Sequence, residues 1–588
     1  MKKKLLLIGI TLVFGLTAFK VGKDLLTQPN YVGTQACALC HQSKFDSLQT
    51  TLHAKIHLVP SATSVRPPWT GSISMGSGYS NASVVLGMNG AIYQATLTPT
   101  TGSPITYDIA YTYGYGFKQR YLVSIESSKY ILPIQYNLNK YMDNSTGSWA
   151  TYNPGNWFNT DGTLKTINNT FRKKSWDKNC SACHITGNKI VKTINGTDTA
   201  WVSSWANSSS NLNMTVGCES CHGPGENHVA SPNTSNIYGP TAMSGSIARS
   251  NEVCGQCHSR AASPQLTYKY PYNEIADSSY YPGQVLSNFY TPWITLLNLT
   301  GGPGVWPDTT SSQHHQQWQD MSYSSHFTNT TCFDKCHDPH SNGVGGVGTH
   351  QLKQDNDNND ICLQCHTIFG NVGAPNITAI TTHTKHSYDP ENLNSTGGAS
   401  RCSKCHMAKT ATSAKSYDIH SHSWKVISPC KTLTLGMINS CSASCHRNAT
   451  GNIPTFGVPT DSTLTNWTQA ADIQLADTLC NWYSQQVWTN VNTIAALASQ
   501  FSLSQNYPNP FQTKTVIYFT LAKAEHVTLK VYDITGKLVQ ILVNKKMEQG
   551  VYNVNFDITN IESATSNILF YQLKAGEFVV SKKMICLK

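Results

Sequence analysis

At 588 residues the chain is too long for one ordinary core, and its charged residues make up only 13% of the total, about half the usual share. The formal charge is +10, yet Lys and Arg form no dense stripe beyond the amino terminus, which excludes a nucleic-acid-binding surface of the usual kind. Ser, Thr, Asn, Gly and Tyr are plentiful instead, so the surface is hydrated by hydroxyls and amides, as in many exported proteins.

Lys2, Lys3 and Lys4 precede an apolar run from Leu5 to Phe19. A run of this length suits the core of an export signal better than the ~20 residues needed to cross a bilayer, so residues 1–20 read as a signal peptide. The small-x-small cleavage pattern is poor around Thr17 and Ala18, which keeps an uncleaved anchor as the alternative. No later segment is long and apolar enough to span a membrane, so no integral span is expected after processing.

Residues 28–502 form the next expected unit, and its first feature is Cys37-x-x-Cys40-His41. The same spacing returns in Cys180/Cys183/His184, Cys218/Cys221/His222, Cys254/Cys257/His258, Cys362/Cys365/His366 and Cys402/Cys405/His406. Two versions carry one extra residue: CFDKCH, with Cys332, Cys336 and His337, and CSASCH, with Cys441, Cys445 and His446. Numbered in chain order these are clusters I to VIII, and they use 16 of the 19 cysteines.

Two thiols at this spacing reach the two vinyl groups on one edge of a porphyrin, and the adjacent His swings under the iron as its proximal ligand. The extra residue of clusters V and VIII can bulge without moving the final Cys-His pair. A chain of this composition should contain about 0.02 C-x-x-C-H motifs by chance, so the recurrence decides the reading. Zinc ribbons pair C-x-x-C units and exported scaffolds pair cysteines as disulfides, but neither needs a His after the second Cys. The expected cofactor is c-type haem, about eight per chain. Its propionates would add ~16 negative charges, so the charge of the bare chain says little about partners.

Between clusters I and II, residues 58–170 carry AIYQATLTPT, ITYDIAYTYGYGF and QRYLVSIESSKYILPIQY, divided by Gly, Ser and Asn turns, which predicts a β-rich insertion. Around the remaining clusters the chain reads as short helices and loops, the usual texture where haems replace side-chain packing. Residues 463–500, with Trp467, Ile473, Leu475, Leu479 and Trp482, read as an amphipathic helix closing the haem region. Over residues 503–588, alternating strands with turns at Thr535/Gly536 and Ala575/Gly576 predict a small β-sandwich. Of the three cysteines left over, Cys586 falls in this terminal segment, and Cys430 and Cys480 form an even pair able to close a disulfide.

Twenty-one histidines less the eight proximal ones leave thirteen, and His526 lies in the terminal segment. His53, His228, His326, His340, His383 and His386 are the first candidates for distal ligands. The close pairs His314/His315 and His420/His422 supply one ligand each at most, and His57 and His350 complete the pool. His340 follows proximal His337 too closely to reach the far face of the same haem, so it should serve a neighbour. Met407, next to His406, reads as packing. Paired imidazoles, without the potential-raising Met of mobile cytochromes c, give low-potential haems suited to electron relay.

Residues 31–450 resemble the large multihaem cytochrome c family that includes tetrahaem electron carriers of nitrifiers and octahaem reductases and oxidoreductases. The resemblance rests on YVGTQACALCH followed by His53, VGCESCHGPGENHV, VCGQCHSR, TCFDKCHDPH and CSKCHMAK. It implies a multihaem cytochrome c fold of mainly short helices and loops around stacked haems, and distal roles for His228 and His340. Residues 503–588 are similar to the type A sorting domain of type IX secretion, through NYPNPF, VYDITGKLV and the terminal VVSKKMI. That resemblance implies passage by way of the periplasm to the cell surface or beyond, with the domain then cleaved.

Two functions are expected from these features. The first is extracellular electron transfer between redox protein partners and external acceptors; it asks for filled axial sites and assigns no catalytic residue. The second is an octahaem reductase or oxidoreductase acting on nitrite, hydroxylamine or an oxidised sulfur compound, which asks for one open haem flanked by His, Tyr or Arg donors. The ample histidine supply, and the lack of any C-x-x-C-K motif, favour the first. Stacking of copies into a homo-oligomer or filament is compatible with it.

Overall fold

The computed structural model describes residues 30–140, 143–196, 198–206, 214–239, 246–292, 304–343, 350–356, 358–391, 400–413, 417–446, 468–486, 501–503, 506, 509–548, 550–560 and 567–586. The segment read as a signal peptide lies outside them. The chain divides into two units, Met1–Gln485 and Gln486–Lys588.

The dominant element of the first unit is an antiparallel sheet built from β1 (His57–Leu58), β2 (Gly71–Ser74), β3 (Ser83–Asn89), β4 (Ile92–Thr98), β5 (Ile105–Tyr113), β6 (Lys118–Ile125), β7 (Ser128–Ile131), β8 (Ile134–Lys140) and β9 (Asp143–Thr151). Its path runs β2-β3-β4-β5-β6-β8-β9, with β1 paired to β5 and β7 to β6. Period-two alternation puts Val84 and Leu86 of β3 opposite Leu97 and Ala95 of β4, and all four are buried. The β3–β4 hairpin turns through Gly90 at φ +58°, a left-handed conformation that glycine adopts without steric cost. Tyr121, Val123, Leu132, Ile134 and Phe158 complete the core on that face. At one end of the sheet His57 of β1 lies opposite Tyr113 of β5, and Tyr113 in turn lies opposite Arg120 of β6.

Beyond the sheet the clusters sit on short helical turns such as Cys218–His222 and Cys402–His406. Strand content is higher than the sequence reading expects. An added hairpin, β10 (Lys189–Asn195) and β11 (Asp198–Ser204), fills the stretch between clusters II and III, turning at Gly196 with φ +62°. Aromatic groups supply the local cores, among them Trp201 with Tyr268, Tyr270 and Tyr272. A helix over Gln469–Gln485 buries Leu475, Ala476 and Leu479, and the Cys430–Cys480 disulfide ties it to the helix Cys430–Leu435. The remainder of the helix expected over 463–500 lies outside the described residues.

The second unit holds two antiparallel sheets. Lys514–Leu521 is flanked by Ser502–Leu503 and Gly550–Asp557, and Glu525–Asp533 lies between Leu538–Met547 and Ile568–Ala575, which in turn pairs with Phe578–Ile585. Their inward residues, including Phe519, Leu529, Val531, Phe556, Tyr571 and Met584, form one buried cluster. Gly536 and Gly576 take φ +85° and +59° at the two tight turns. Cys586 is buried there, its thiol donating to the Gln512 carbonyl at 3.4 Å. Among the described residues, no helix is long and apolar enough to cross a membrane.

Candidate functional site: the cysteine-histidine clusters

The local backbone explains how two spacings do one job. In cluster IV the His258 amide donates to the Cys254 carbonyl at 2.8 Å, and in cluster VI His366 donates to Cys362 at 3.0 Å, both four residues back. In the longer clusters the bond reaches five residues back, from His337 to Cys332 and from His446 to Cys441, each at 2.8 Å. The extra residue is absorbed as a single π-type turn. Cys332 and Cys402 are further fixed by Asn251 and Asn359, whose side-chain oxygens each accept the cysteine amide at 2.8 Å. Those asparagines occupy equivalent places in NEVCGQCH and NDICLQCH. The glutamines of the same two phrases repeat the pattern: Gln256 donates to the Ser220 carbonyl at 2.8 Å and Gln364 to the Lys335 carbonyl at 3.2 Å, each just before the second cysteine of the preceding cluster.

Every proximal histidine faces a second imidazole. Ring centroids are 6.3 Å apart for His41/His228, 5.9 Å for His222/His340, 6.2 Å for His258/His53 and 6.0 Å for His366/His326. They are 6.1 Å apart for His406/His383 and 6.0 Å for His446/His386. The sequence-predicted candidates His53, His228, His326, His340, His383 and His386 are therefore all beside a proximal ring. His340 meets His222 of cluster III and not its chain neighbour His337. At the remaining two, His422 of a close pair faces His337 at 6.5 Å, and His184 has both His315 and His57 at 5.9 Å. Long-range folding, and no local spacing, selects which member of each pair lies beside a proximal ring.

These separations fit one iron between two ring nitrogens. With nitrogen about 2 Å from a metal and a ring radius of about 1.1 Å, two opposed imidazoles sit roughly 6 Å apart. Two donors alone do not make a tetrahedral zinc site, whereas a porphyrin supplies the four equatorial ligands that iron needs. Among the described residues no three or more His, Cys, Asp or Glu side chains converge as a metal ion held by the protein alone would need. Many imidazoles are also pre-oriented. The Nδ1 of His222, His337 and His406 meets a backbone carbonyl at 2.9–3.0 Å, and so does that of His228 and His422 at 3.0 Å, which leaves Nε2 as the nitrogen able to take a metal. Burial holds His53 and His326 near 4, so both are neutral and free to ligate.

Contacts between clusters set their spatial order. Cys37 of I meets Cys218 of III, and Cys221 of III lies near Cys254 and Cys257 of IV. Cys254 meets Cys332 of V, Cys336 of V lies near Cys365 of VI, and Cys362 of VI meets Cys402 of VII. Cys405 of VII is near Cys445 of VIII. The line is thus I, III, IV, V, VI, VII, VIII. Cluster II joins it from the side, with Cys183 against Cys257 of IV. Ring angles alternate as well: I, III, V and VII have near-parallel pairs at 19°, 10°, 22° and 6°, and II, IV, VI and VIII have crossed pairs at 56°, 83°, 54° and 54°.

Cluster II differs in its surroundings. His184 Nε2 is hydrogen-bonded to the Tyr113 hydroxyl at 3.1 Å, and sequence reasoning assigned no role to that tyrosine. His57, stacked on Tyr113 at 5.1 Å, has Nδ1 against the Met214 carbonyl at 3.1 Å.

Comparison with known proteins gives two matches. Residues 147–223, which contain clusters II and III, match the family model for cytochrome c554 and c-prime. Residues 505–587 match the model for a secretion system C-terminal sorting domain. No curated protein matches the chain. The protein therefore combines a segment similar to c-type haem electron-transfer proteins with a sorting domain that directs export by type IX secretion to the cell surface or outside.

Proposed function

We propose that the protein transfers electrons outside the cell along about eight covalently attached c-type haems, mostly ligated by two histidines, and exchanges them with redox protein partners or extracellular acceptors. Haem iron supplies reversible one-electron chemistry when bound. The observation that carries the reading is the opposed second imidazole at each of the eight clusters. The octahaem membership read from the sequence, and the division at about residue 503, belong to the same proposal. On this reading the side chains hold ligands, set cluster spacing and exclude water, and none performs bond-making chemistry. The interlocking of adjacent clusters through Asn251, Asn359, Gln256 and Gln364 supports it, because tight spacing is what relay requires. The test is electron exchange by the purified full chain: fast reduction by a low-potential donor, then reoxidation by an insoluble acceptor with no substrate present. A chain that donates to no acceptor protein or solid would contradict it.

The surroundings of His184 favour a second reading, an octahaem reductase or oxidoreductase acting on nitrite, hydroxylamine or an oxidised sulfur compound at one open haem. There the Tyr113 hydroxyl, 3.1 Å from His184 Nε2, is a polar donor of the kind an open haem needs beside it.

A further inference from the structure

The short helix Gln317–Ser322 is bonded to both cluster IV and cluster V. Its Trp318 amide donates to the His258 carbonyl at 3.0 Å, and the Gln317 side-chain oxygen lies 3.3 Å from His258 Nδ1. One turn on, the Met321 sulfur meets the Cys332 sulfur at 3.4 Å. Between these contacts stands Asp320, 2% exposed. Its Oδ1 accepts the Ser311 amide at 3.0 Å and the Ser311 hydroxyl at 2.6 Å. Its Oδ2 accepts the Ser421 hydroxyl at 3.0 Å and the His422 amide at 3.1 Å.

Four donors on two oxygens suit a carboxylate, which only accepts, whereas an amide of the same shape would turn its own N–H groups toward two of them. Losing such a group is costly, because the donors it leaves stay buried without a partner. The His422 end has a particular need of a fixing point. His420 carries the same ring two residues earlier, and side chains so spaced on an extended chain project to one side. Ring chemistry therefore does not tell the two apart. His422 is the one beside His337, at 6.5 Å and 22°, while His420 turns its Nδ1 to the Met407 carbonyl. The link between them is pinned at each step: the Ser421 amide donates to the Ala408 carbonyl at 3.0 Å, and His422 Nδ1 meets the His420 carbonyl at 3.0 Å. Those partners are near in sequence. Asp320 is the distant one, 102 residues before His422, and it takes both the Ser421 hydroxyl and the His422 amide.

We propose that Asp320 is a positioning residue for cluster V: by holding the Ser421–His422 link it sets His422, and not His420, as the axial partner opposite His337. This deepens the first reading above and rests on cluster V holding a haem. Asp320 acts through His422 and, by way of its own helix, ties that ligand to the segment carrying His258 of cluster IV.

The test compares electron paramagnetic resonance spectra of the full-length ferric holoprotein and its variants, with the haem on each cluster read from peptide masses of the same samples. Asp320→Asn should remove the low-spin signal that His422→Ala removes and turn about one-eighth of the iron high-spin, reversibly with added imidazole. If His420 takes the vacated place the signal moves instead, and Asp320→Asn with His420→Ala then yields the high-spin form. Ser421→Ala removes a single bond to the carboxylate, should show the same change in a smaller fraction, and serves if Asp320→Asn does not fold. His420→Ala alone should leave the spectrum as it is. Asp308→Asn controls for damage to the loop that carries Ser311: this acid accepts the Thr310 amide at 3.0 Å and hydroxyl at 2.6 Å and pairs with Lys431 at 2.8 Å, and among the described residues it bonds to no histidine. Its spectrum should match that of the parent chain. An unaltered spectrum in both Asp320→Asn and Ser421→Ala overturns the proposal, as does a new high-spin signal in His420→Ala or Asp308→Asn. If the peptide holding Cys332 and Cys336 carries no haem, the reading beneath the proposal fails instead, and its mass shows this independently.

Discussion

Replacing His340 by Ala should open the haem of cluster III, although His340 follows the cluster V histidine His337 by three residues in sequence. The His340 ring stands 5.9 Å from that of His222 at an angle of 10°, while His337 has its own partner, His422, at 6.5 Å. With eight haems, as proposed, removing one imidazole empties one axial position, and about one-eighth of the ferric iron should turn high-spin. The substitution lies on a half-exposed loop, so the rest of the fold should persist. Spin integration of the oxidised protein by electron paramagnetic resonance measures the fraction, and added imidazole should reverse it. A double variant with His383→Ala, which faces His406, should reach about one-quarter, because separate sites act additively. Repeating H340A in a Cys218→Ala/Cys221→Ala chain should abolish the new signal. Persistence there, with loss in a Cys332→Ala/Cys336→Ala chain, would refute the cross-cluster pairing.

The alternation of ring angles predicts two classes of low-spin ferric signal in equal numbers, since crossed imidazole planes leave the iron orbitals nearly degenerate and parallel planes split them; a single class would contradict it. Serine at both Cys430 and Cys480 removes a cross-link spanning 50 residues and should cost about 4 kcal/mol by loop-closure entropy, read by denaturant unfolding. Glu219 is fully buried and accepts the amides of Val32, Gly33 and Gly225 at 3.0, 2.7 and 2.7 Å, yet burial outweighs these bonds and raises its pKa above the usual 4.5. The folded state then holds the extra proton, so stability should fall as pH rises from 4.5 through that raised value and level off beyond it. Glu219→Gln should flatten that slope in pH-dependent unfolding. Deleting residues 505–587 should leave the protein in the periplasm, as cell fractionation would show.

The attachment motifs stand out in the sequence because they are local: two cysteines and a histidine within five or six residues would meet one porphyrin edge and one iron whatever the remaining chain does. The pairing of imidazoles was legible only in part. That His340 must serve a neighbour follows from its short tether to His337, but the identity of the neighbour depends on packing between distant segments. His315 and His422 were hidden for the same reason, each sitting beside another histidine of identical chemistry. The surroundings of His184 left no motif at all. Tyr113 and Arg120 are ordinary strand residues until the β5–β6 register sets them side by side and the sheet end meets His184. The β10–β11 hairpin did carry a local signal, KIVKTINGTDTAWVSS with its Asn-Gly turn, which a reading centred on haem motifs passes over.

The most direct measurement is the intact mass of the mature protein after denaturation, together with a stain for bound porphyrin. Eight thioether-linked haems per chain are predicted, one for each Cys-His cluster, surviving extraction by acid and organic solvent. A mass equal to that of the amino acids alone, or porphyrin that washes away, would contradict the prediction.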